Sequence, residues 1–302
     1  MTARDIGAGG LARDDGPLDR VERRYDGYVF DLDGTLYLGE MLLPGARDAV
    51  LALRAAGSRT VFLTNKPLER PADYAAKLTR LGIPATALEV VSSTDALLRY
   101  LRVHAAGARL YPVAEPLLWE MLGEEGWELS DDPARIDVVV VSFDRTFAYP
   151  KLQIAFDAVR AGARIVATNP DAYCPVPGGG LPDCAAMLAA IEACTGVRAE
   201  AIVGKPSPHM AATLLERLAL VAARTLLVGD RLETDMRMAI EAGMVPALVL
   251  SGATTSLDVA RSSVRPRYVL ASVADIVPAS VPLVTNQAPT SSVIAAVQTP
   301  EP

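Results

Sequence analysis

Short apolar runs alternate with stretches of helical periodicity along this chain, and that alternation limits its fold more than any other feature. Tyr28–Asp31, Thr60–Leu63, Ala201–Val203, Thr225–Val228 and Ala247–Leu250 read as strands. Pro44–Ala56, Arg70–Leu81, Ser207–Leu220 and Thr234–Ala242 read as helices, the first two stopped by Gly57 and Gly82. Strands and helices in alternation imply a parallel sheet flanked by helices. The middle of the chain repeats the habit. Arg109–Tyr111, Asp137–Val141 and Arg164–Ala167 read as strands, and Glu115–Glu125, Lys151–Ala161 and Pro182–Cys194 as helices. That stretch either extends one large sheet or forms a separate insert.

Composition narrows the function classes. The 302 residues, 51% apolar, suggest two domains at roughly 150 residues each. The formal charge is 29 − 36 = −7. Such a balance speaks against nucleic acid as a partner, because that binding leans on Lys and Arg. A phosphorylated ligand then needs local cations, and Lys occurs only at positions 66, 77, 151 and 205. Cys174, Cys184 and Cys194 are odd in number and form no Cys-x-x-Cys pair, so they suit neither a disulfide framework nor zinc. His104 and His209 are too few for a His-rich metal centre. No apolar run reaches the roughly 18 residues of a membrane span. The chain reads as cytoplasmic, with no membrane partner. Residues 1–24 read as a flexible arm and 276–302 as a flexible tail.

The string Phe30-Asp31-Leu32-Asp33-Gly34-Thr35-Leu36 carries the sharpest chemistry. An apolar strand delivers two carboxylates, Gly34 allows a sharp turn, and Thr35 adds a hydroxyl. In parallel sheets, ligands bind beyond the carboxyl ends of strands. Two acids there repel each other and need a cation or a proton. A hard cation such as Mg²⁺ prefers oxygen ligands. One acid can act as nucleophile and the other as proton carrier; the plainer alternative is a pair of turn or capping acids. Val61-Phe62-Leu63-Thr64-Asn65 ends the next strand in groups able to donate to phosphoryl oxygens. Gly204-Lys205-Pro206-Ser207-Pro208 sets an ammonium on a stiff turn. Val228-Gly229-Asp230-Arg231-Leu232-Glu233-Thr234-Asp235 follows a further apolar strand with more acids.

Together these strings resemble the four motifs of the haloacid dehalogenase superfamily of hydrolases. The resemblance implies that Asp31 attacks phosphorus to form an aspartyl phosphate, with Asp33 as general acid and base. Thr64, Asn65 and Lys205 would hold the phosphate, and Thr64 and Lys205 would take part in catalysis. Mg²⁺ would lie among the Asp31 carboxylate, the Asp33 carbonyl and the Asp230 carboxylate, with Asp235 in support.

Spacing between the motifs then selects a branch. Little room lies between Asp33 and Thr64, whereas 140 residues separate Thr64 from Lys205. A second domain of roughly 100 residues fits there. Leu36-Tyr37-Leu38-Gly39, Asp144-Arg145-Thr146-Phe147-Ala148-Tyr149 and Ala167-Thr168-Asn169-Pro170-Asp171 look like the NagD-like, or p-nitrophenylphosphatase-like, branch. The resemblance implies an α/β fold: a Rossmann-like core over 25–92 and 198–275, and a class II, subtype A cap over 93–197. Leu181-Pro182-Asp183-Cys184-Ala185 departs from the branch's pattern, and Asp183 there either touches substrate or merely starts a helix. The expected activity is a Mg²⁺-dependent phosphatase acting on a small phosphorylated metabolite: a sugar, polyol or cyclitol, glycolate-like or nucleotide phosphate. Phosphoryl transfer to an alcohol through the same intermediate and noncatalytic metabolite binding are the alternatives. A homodimer through the cap is a further expectation.

Overall fold

Tyr28 and Phe30 point to one side of the first strand and Val29 to the other, and each side meets a different apolar core. This period-2 alternation recurs in the neighbouring strands, with Phe62 on one face and Val61 and Leu63 on the other. The computed structural model describes residues 18–176 and 179–283.

The elements run β1 (Gly27–Asp31), a hairpin of β2 (Tyr37–Leu38) and β3 (Met41–Leu42), α1 (Ala46–Ala55), β4 (Arg59–Thr64), α2 (Pro71–Arg80), β5 (Val90–Ser92) and α3 (Ser93–His104). The middle holds β6 (Leu110–Val113), α4 (Pro116–Glu124), β7 (Val138–Val141), α5 (Tyr149–Arg160), β8 (Arg164–Ala167), a hairpin of β9 (Tyr173–Val176) and β10 (Gly179–Pro182), α6 (Cys184–Thr195) and β11 (Ala201–Ile202). The chain closes with α7 (Pro208–Leu218), β12 (Thr225–Gly229), α8 (Arg237–Glu241), β13 (Val245–Val249), α9 (Ser256–Arg261) and β14 (Tyr268–Leu270). Pro71, Pro116 and Pro208 each open a helix where their missing N–H costs nothing.

Six parallel strands form the larger sheet in the order β14-β13-β12-β1-β4-β5. Strand order reverses at β1, which places a ligand crevice beyond the carboxyl ends of β1, β4 and β12. One face packs on α1 and α2 through Phe30, Phe62, Leu53 and Leu78. Each such fully buried side chain contributes about 1.5–3 kcal/mol. The other face packs on α3 and α7. A second parallel sheet, β11-β8-β7-β6, is separate from the first. Val138, Val140 and Val166 on one of its faces join the core that holds α3 and α7, while Val139, Val141 and Ile165 face α5 and α6.

Several expectations shift. The insert forms its own sheet, but β11 closes that sheet's edge although it follows residue 197. Helix α3, placed with the insert by sequence, shares its buried Ala96, Leu97 and Leu101 with Met210 and Leu214 of α7. The helix expected over 234–242 begins as a widened turn at Leu232–Met236, in which the Met236 N–H donates to the Arg231 carbonyl at 3.1 Å, and α8 is short. Of the expected N-terminal arm, residues 18–24 dock on β14. The Asp19 N–H donates to the Val269 carbonyl, the Val269 N–H donates back to the Asp19 carboxylate, and Val21 is buried. Ile276 and Val281 are buried as well. Residues 1–17, 177–178 and 284–302 lie outside the described residues.

Asp183 caps α6, its carboxylate accepting from the Cys184 N–H at 2.6 Å. Burial pushes its carboxyl up to about 6, against 3.8 for an ordinary Asp. A raised carboxyl opposes folding once it is ionised, fully above about pH 6, and the penalty fades as pH falls toward 4. Asp183→Asn keeps a capping oxygen and removes the charge. It should raise Tm over wild type at pH 8, by the equivalent of ~1–3 kcal/mol, and lose that gain near pH 4 in a pH series of thermal melts.

Candidate active site

The carboxyl ends of three adjacent strands deliver the candidate residues. Asp31 ends β1, Thr64 ends β4, and Asp230 follows β12. Lys205 arrives from the turn after β11, so the second sheet's last strand feeds the first sheet's crevice. Its ammonium donates to Asp31 Oδ1 at 2.5 Å and to Asp235 Oδ1 at 2.7 Å. Thr35 Oγ1 donates to Asp31 Oδ2 at 3.4 Å. Asp235 reaches Lys205 from the widened turn, and its Oδ2 accepts from the Arg231 N–H at 3.2 Å.

Asp230 is held by a loop that sequence reasoning missed. The Ala253 N–H donates to its Oδ2 at 2.6 Å, and Thr254 Oγ1 donates to its backbone carbonyl at 2.5 Å. Its Oδ1 is buried and has no partner. Carboxylate oxygens of Asp31, Asp230 and Asp235 lie within 4.8 Å of one another. Two glycines make this approach possible. A Cβ at Gly34, whose φ is +87°, would stand 2.3 Å from Asp230 Oδ2, and one at Gly252 would stand 2.1 Å from it. The Ser-Gly-Ala-Thr-Thr string after β13 was the available signal for the loop.

Three buried carboxylates therefore cluster at one ammonium, which bonds two of them. Burial pulls the Lys205 ammonium down, but Asp235 and Asp31 outweigh it and hold it above its ordinary range. Burial pushes Asp31 well up despite Lys205, with Asp235 and Asp230 adding to the rise. Burial and Asp235 push Asp230 up to about 6. Surplus negative charge and an orphaned carboxylate oxygen suit a hard cation.

The remaining candidates divide. Asp33 is half-buried beside this cluster, and Lys66 Nζ lies 3.0 Å from its Oδ1. Thr64 Oγ1 accepts from the Lys66 N–H at 3.1 Å, which leaves its own proton to donate. The side-chain amide of Asn65, a residue expected to bind phosphate, is engaged elsewhere. Its Oδ1 accepts from the Lys205 N–H at 2.8 Å, and its Nδ2 donates to Asp171 Oδ2 at 3.0 Å and to the Lys205 carbonyl at 3.2 Å. Every polar atom of that amide is committed to tying β4 to the Lys205 turn and to the insert. Asp183, expected to touch substrate, is committed to the first turn of α6 and to Asn169. Asp144 is buried inside the insert, paired with Lys151 at 2.5 Å. His104 and His209 contact each other and Tyr100, away from the acids.

Lys66, Arg231 and Asp171 were not foreseen as site residues. Only the scarcity of Lys, with one placed directly after Thr64-Asn65, pointed to Lys66.

Known proteins resemble this chain in sequence and fold. A family model described as haloacid dehalogenase-like hydrolase matches residues 28–128, and one described as HAD-hydrolase-like matches 202–276. The sugar-phosphatase AraL of Bacillus subtilis is 34% identical over 250 residues, covering 83% of this chain and 91% of that protein. The 4-nitrophenylphosphatase of Thermotoga maritima superposes with a TM-score of 0.79 at 32% identity, over 83% of this chain and 96% of that one. NagD of E. coli K-12 superposes with a TM-score of 0.77 at 31% identity, over 84% and 99%. The chain belongs to the haloacid dehalogenase-like hydrolase family, as a phosphatase of its NagD and p-nitrophenylphosphatase branch.

Proposed function

We propose that this phosphatase is Mg²⁺-dependent and hydrolyses small phosphomonoesters through an aspartyl phosphate on Asp31. The observation that carries the reading is the Lys205 ammonium bridging Asp31 and Asp235 beside the unpartnered Asp230 oxygen. The Asp31 carboxylate, the Asp33 backbone carbonyl and the Asp230 carboxylate would hold the metal. When bound, Mg²⁺ offsets the repulsion between these acids and an incoming phosphate dianion.

The chain's own groups do the rest. Lys205 orients the Asp31 carboxylate, and one Asp31 oxygen attacks phosphorus as the bond to the leaving oxygen breaks. Asp33 gives its proton to that leaving oxygen, and the alcohol departs. Asp33 then takes a proton from water, whose oxygen attacks phosphorus. The bond from phosphorus to Asp31 breaks, freeing inorganic phosphate and the carboxylate. The Thr64 hydroxyl donates to a phosphoryl oxygen throughout. Asn65 acts at one remove, fixing the backbone of Lys205. AraL is named a sugar phosphatase; for this chain we extend the class to sugar, polyol or cyclitol, glycolate-like and nucleotide phosphates. A homodimer through the insert and a cytoplasmic setting complete the reading. Among the described residues no helix is long and apolar enough to cross a membrane.

Phosphate release from a panel of such esters, with no acceptor alcohol added, tests hydrolysis against transfer. Release should require Mg²⁺, and Asp31→Asn should lower it by at least about 10³-fold. Metal dependence has its own test in the Asp230 cradle. Gly252→Ala pushes a Cβ onto Asp230 Oδ2 and should weaken Mg²⁺ binding about 10- to 100-fold, read by calorimetry as well as by activity. Unchanged affinity in a folded variant would remove Asp230 from the metal's ligands.

A further inference from the structure

Lys66 stands where core and insert meet. Its ammonium is 3.0 Å from Asp33 Oδ1, and the Cys174 thiol of β9 is within hydrogen-bonding reach of it. An ammonium carries three donors and no acceptor. Asp33 and Cys174 occupy two of them; among the described residues none takes the third.

The position of that free donor follows from the chemistry of Asp33. A proton donor to the leaving oxygen sits about 2.7 Å from it. Lys66 Nζ then reaches groups one or two carbons beyond the ester oxygen. Apolar substituents there would strand a half-buried cation, whereas an oxyanion would meet it with a charge-assisted hydrogen bond. Acids on the same side are engaged, Asp171 by Asn65 and Asp183 by the first turn of α6. Arg231 adds to the positive side. It is half-buried beside Asp230, has no side-chain ion pair or hydrogen bond among the described residues, and feels both Asp171 and Asp31.

Resting on the reading of Asp33 as proton donor, we propose that Lys66 is a specificity-determining residue that takes an oxyanion of the leaving group. The group is a carboxylate or a second phosphoryl, carried one or two carbons from the ester oxygen. Three esters built on the same two-carbon skeleton separate the cases: 2-phosphoglycolate, ethane-1,2-diyl bisphosphate and 2-hydroxyethyl phosphate. The comparison is kcat/KM for wild type, Lys66→Met and Lys66→Arg.

Lys66→Met should lower kcat/KM on an oxyanion ester about 10- to 100-fold more than on 2-hydroxyethyl phosphate, chiefly through KM. Lys66→Arg should restore part of the difference. Whichever oxyanion ester loses more identifies carboxylate or phosphoryl as the group read. Equal losses on all three esters would mean that Lys66 only positions Asp33, and would overturn the proposal alone. No hydrolysis of any ester by wild type would overturn the mechanism above, and this proposal with it.

Discussion

One ammonium holds the crevice together. Lys205 reaches Asp31 and Asp235 at once, from a turn separate from both the strand of Asp31 and the widened turn of Asp235. Breaking a buried pair of this kind leaves an uncompensated charge and costs about 3–5 kcal/mol, more than forming it contributes. The strands that present Asp31, Asp230 and Lys205 are thus constrained by charge as well as by packing. With Asp230 added, the acids outnumber the cation, and the deficit lies where a dianionic phosphate must enter. The crevice is therefore locally negative, like the chain as a whole, and a phosphate dianion is favoured there only once a further cation sits among the acids.

The same turn joins the two sheets. Asn65 links the end of β4 to the backbone of Lys205 and to Asp171 of the insert. Asn169 donates to the Asn65 carbonyl at 3.3 Å, and Ser93 Oγ donates to it at 2.7 Å from the start of α3. Around one buried amide, four segments distant in sequence meet. A shift of the insert would strain the hydrogen bonds that aim Lys205, so insert position and nucleophile geometry are physically connected. The continuous apolar core through α3 and α7 supplies the rigidity for that connection.

Local pattern made much of this legible. Asp31 and Asp230 end runs of apolar residues, and strand ends in a parallel sheet are where ligands bind. Lys205 stood out because Lys is scarce and because two prolines stiffen its turn. The sequence could not reveal which neighbour an amide would choose. The side-chain amide of Asn65, beside Thr64, looked like a phosphate donor, yet the Lys205 backbone, 140 positions away, and Asp171 engage it. Asp183 was ambiguous for a similar reason, since a capping acid and a substrate contact have the same local sequence. The loop at 251–254 escaped because it acts through a backbone N–H, one hydroxyl and a missing Cβ, none of which marks a site in sequence. Nothing in Ser251-Gly252-Ala253-Thr254 carries charge, and Gly252 matters only through the Asp230 carboxylate pressed against it.

A cluster of buried acids with an orphaned oxygen is a poor way to stabilise a fold. Desolvation opposes every carboxylate in it, and a well-packed apolar substitute would serve stability as well or better. The chain offsets this with two extensive cores on the larger sheet and a third behind the insert. Apolar burial is non-directional and tolerates the crevice wherever topology puts it. Charge placement tolerates much less, because Asp230 fits only where positions 34 and 252 both lack a Cβ. Packing therefore secures the fold at a distance from the crevice, while a few glycines and one ammonium decide whether the crevice can hold a cation and a phosphate together.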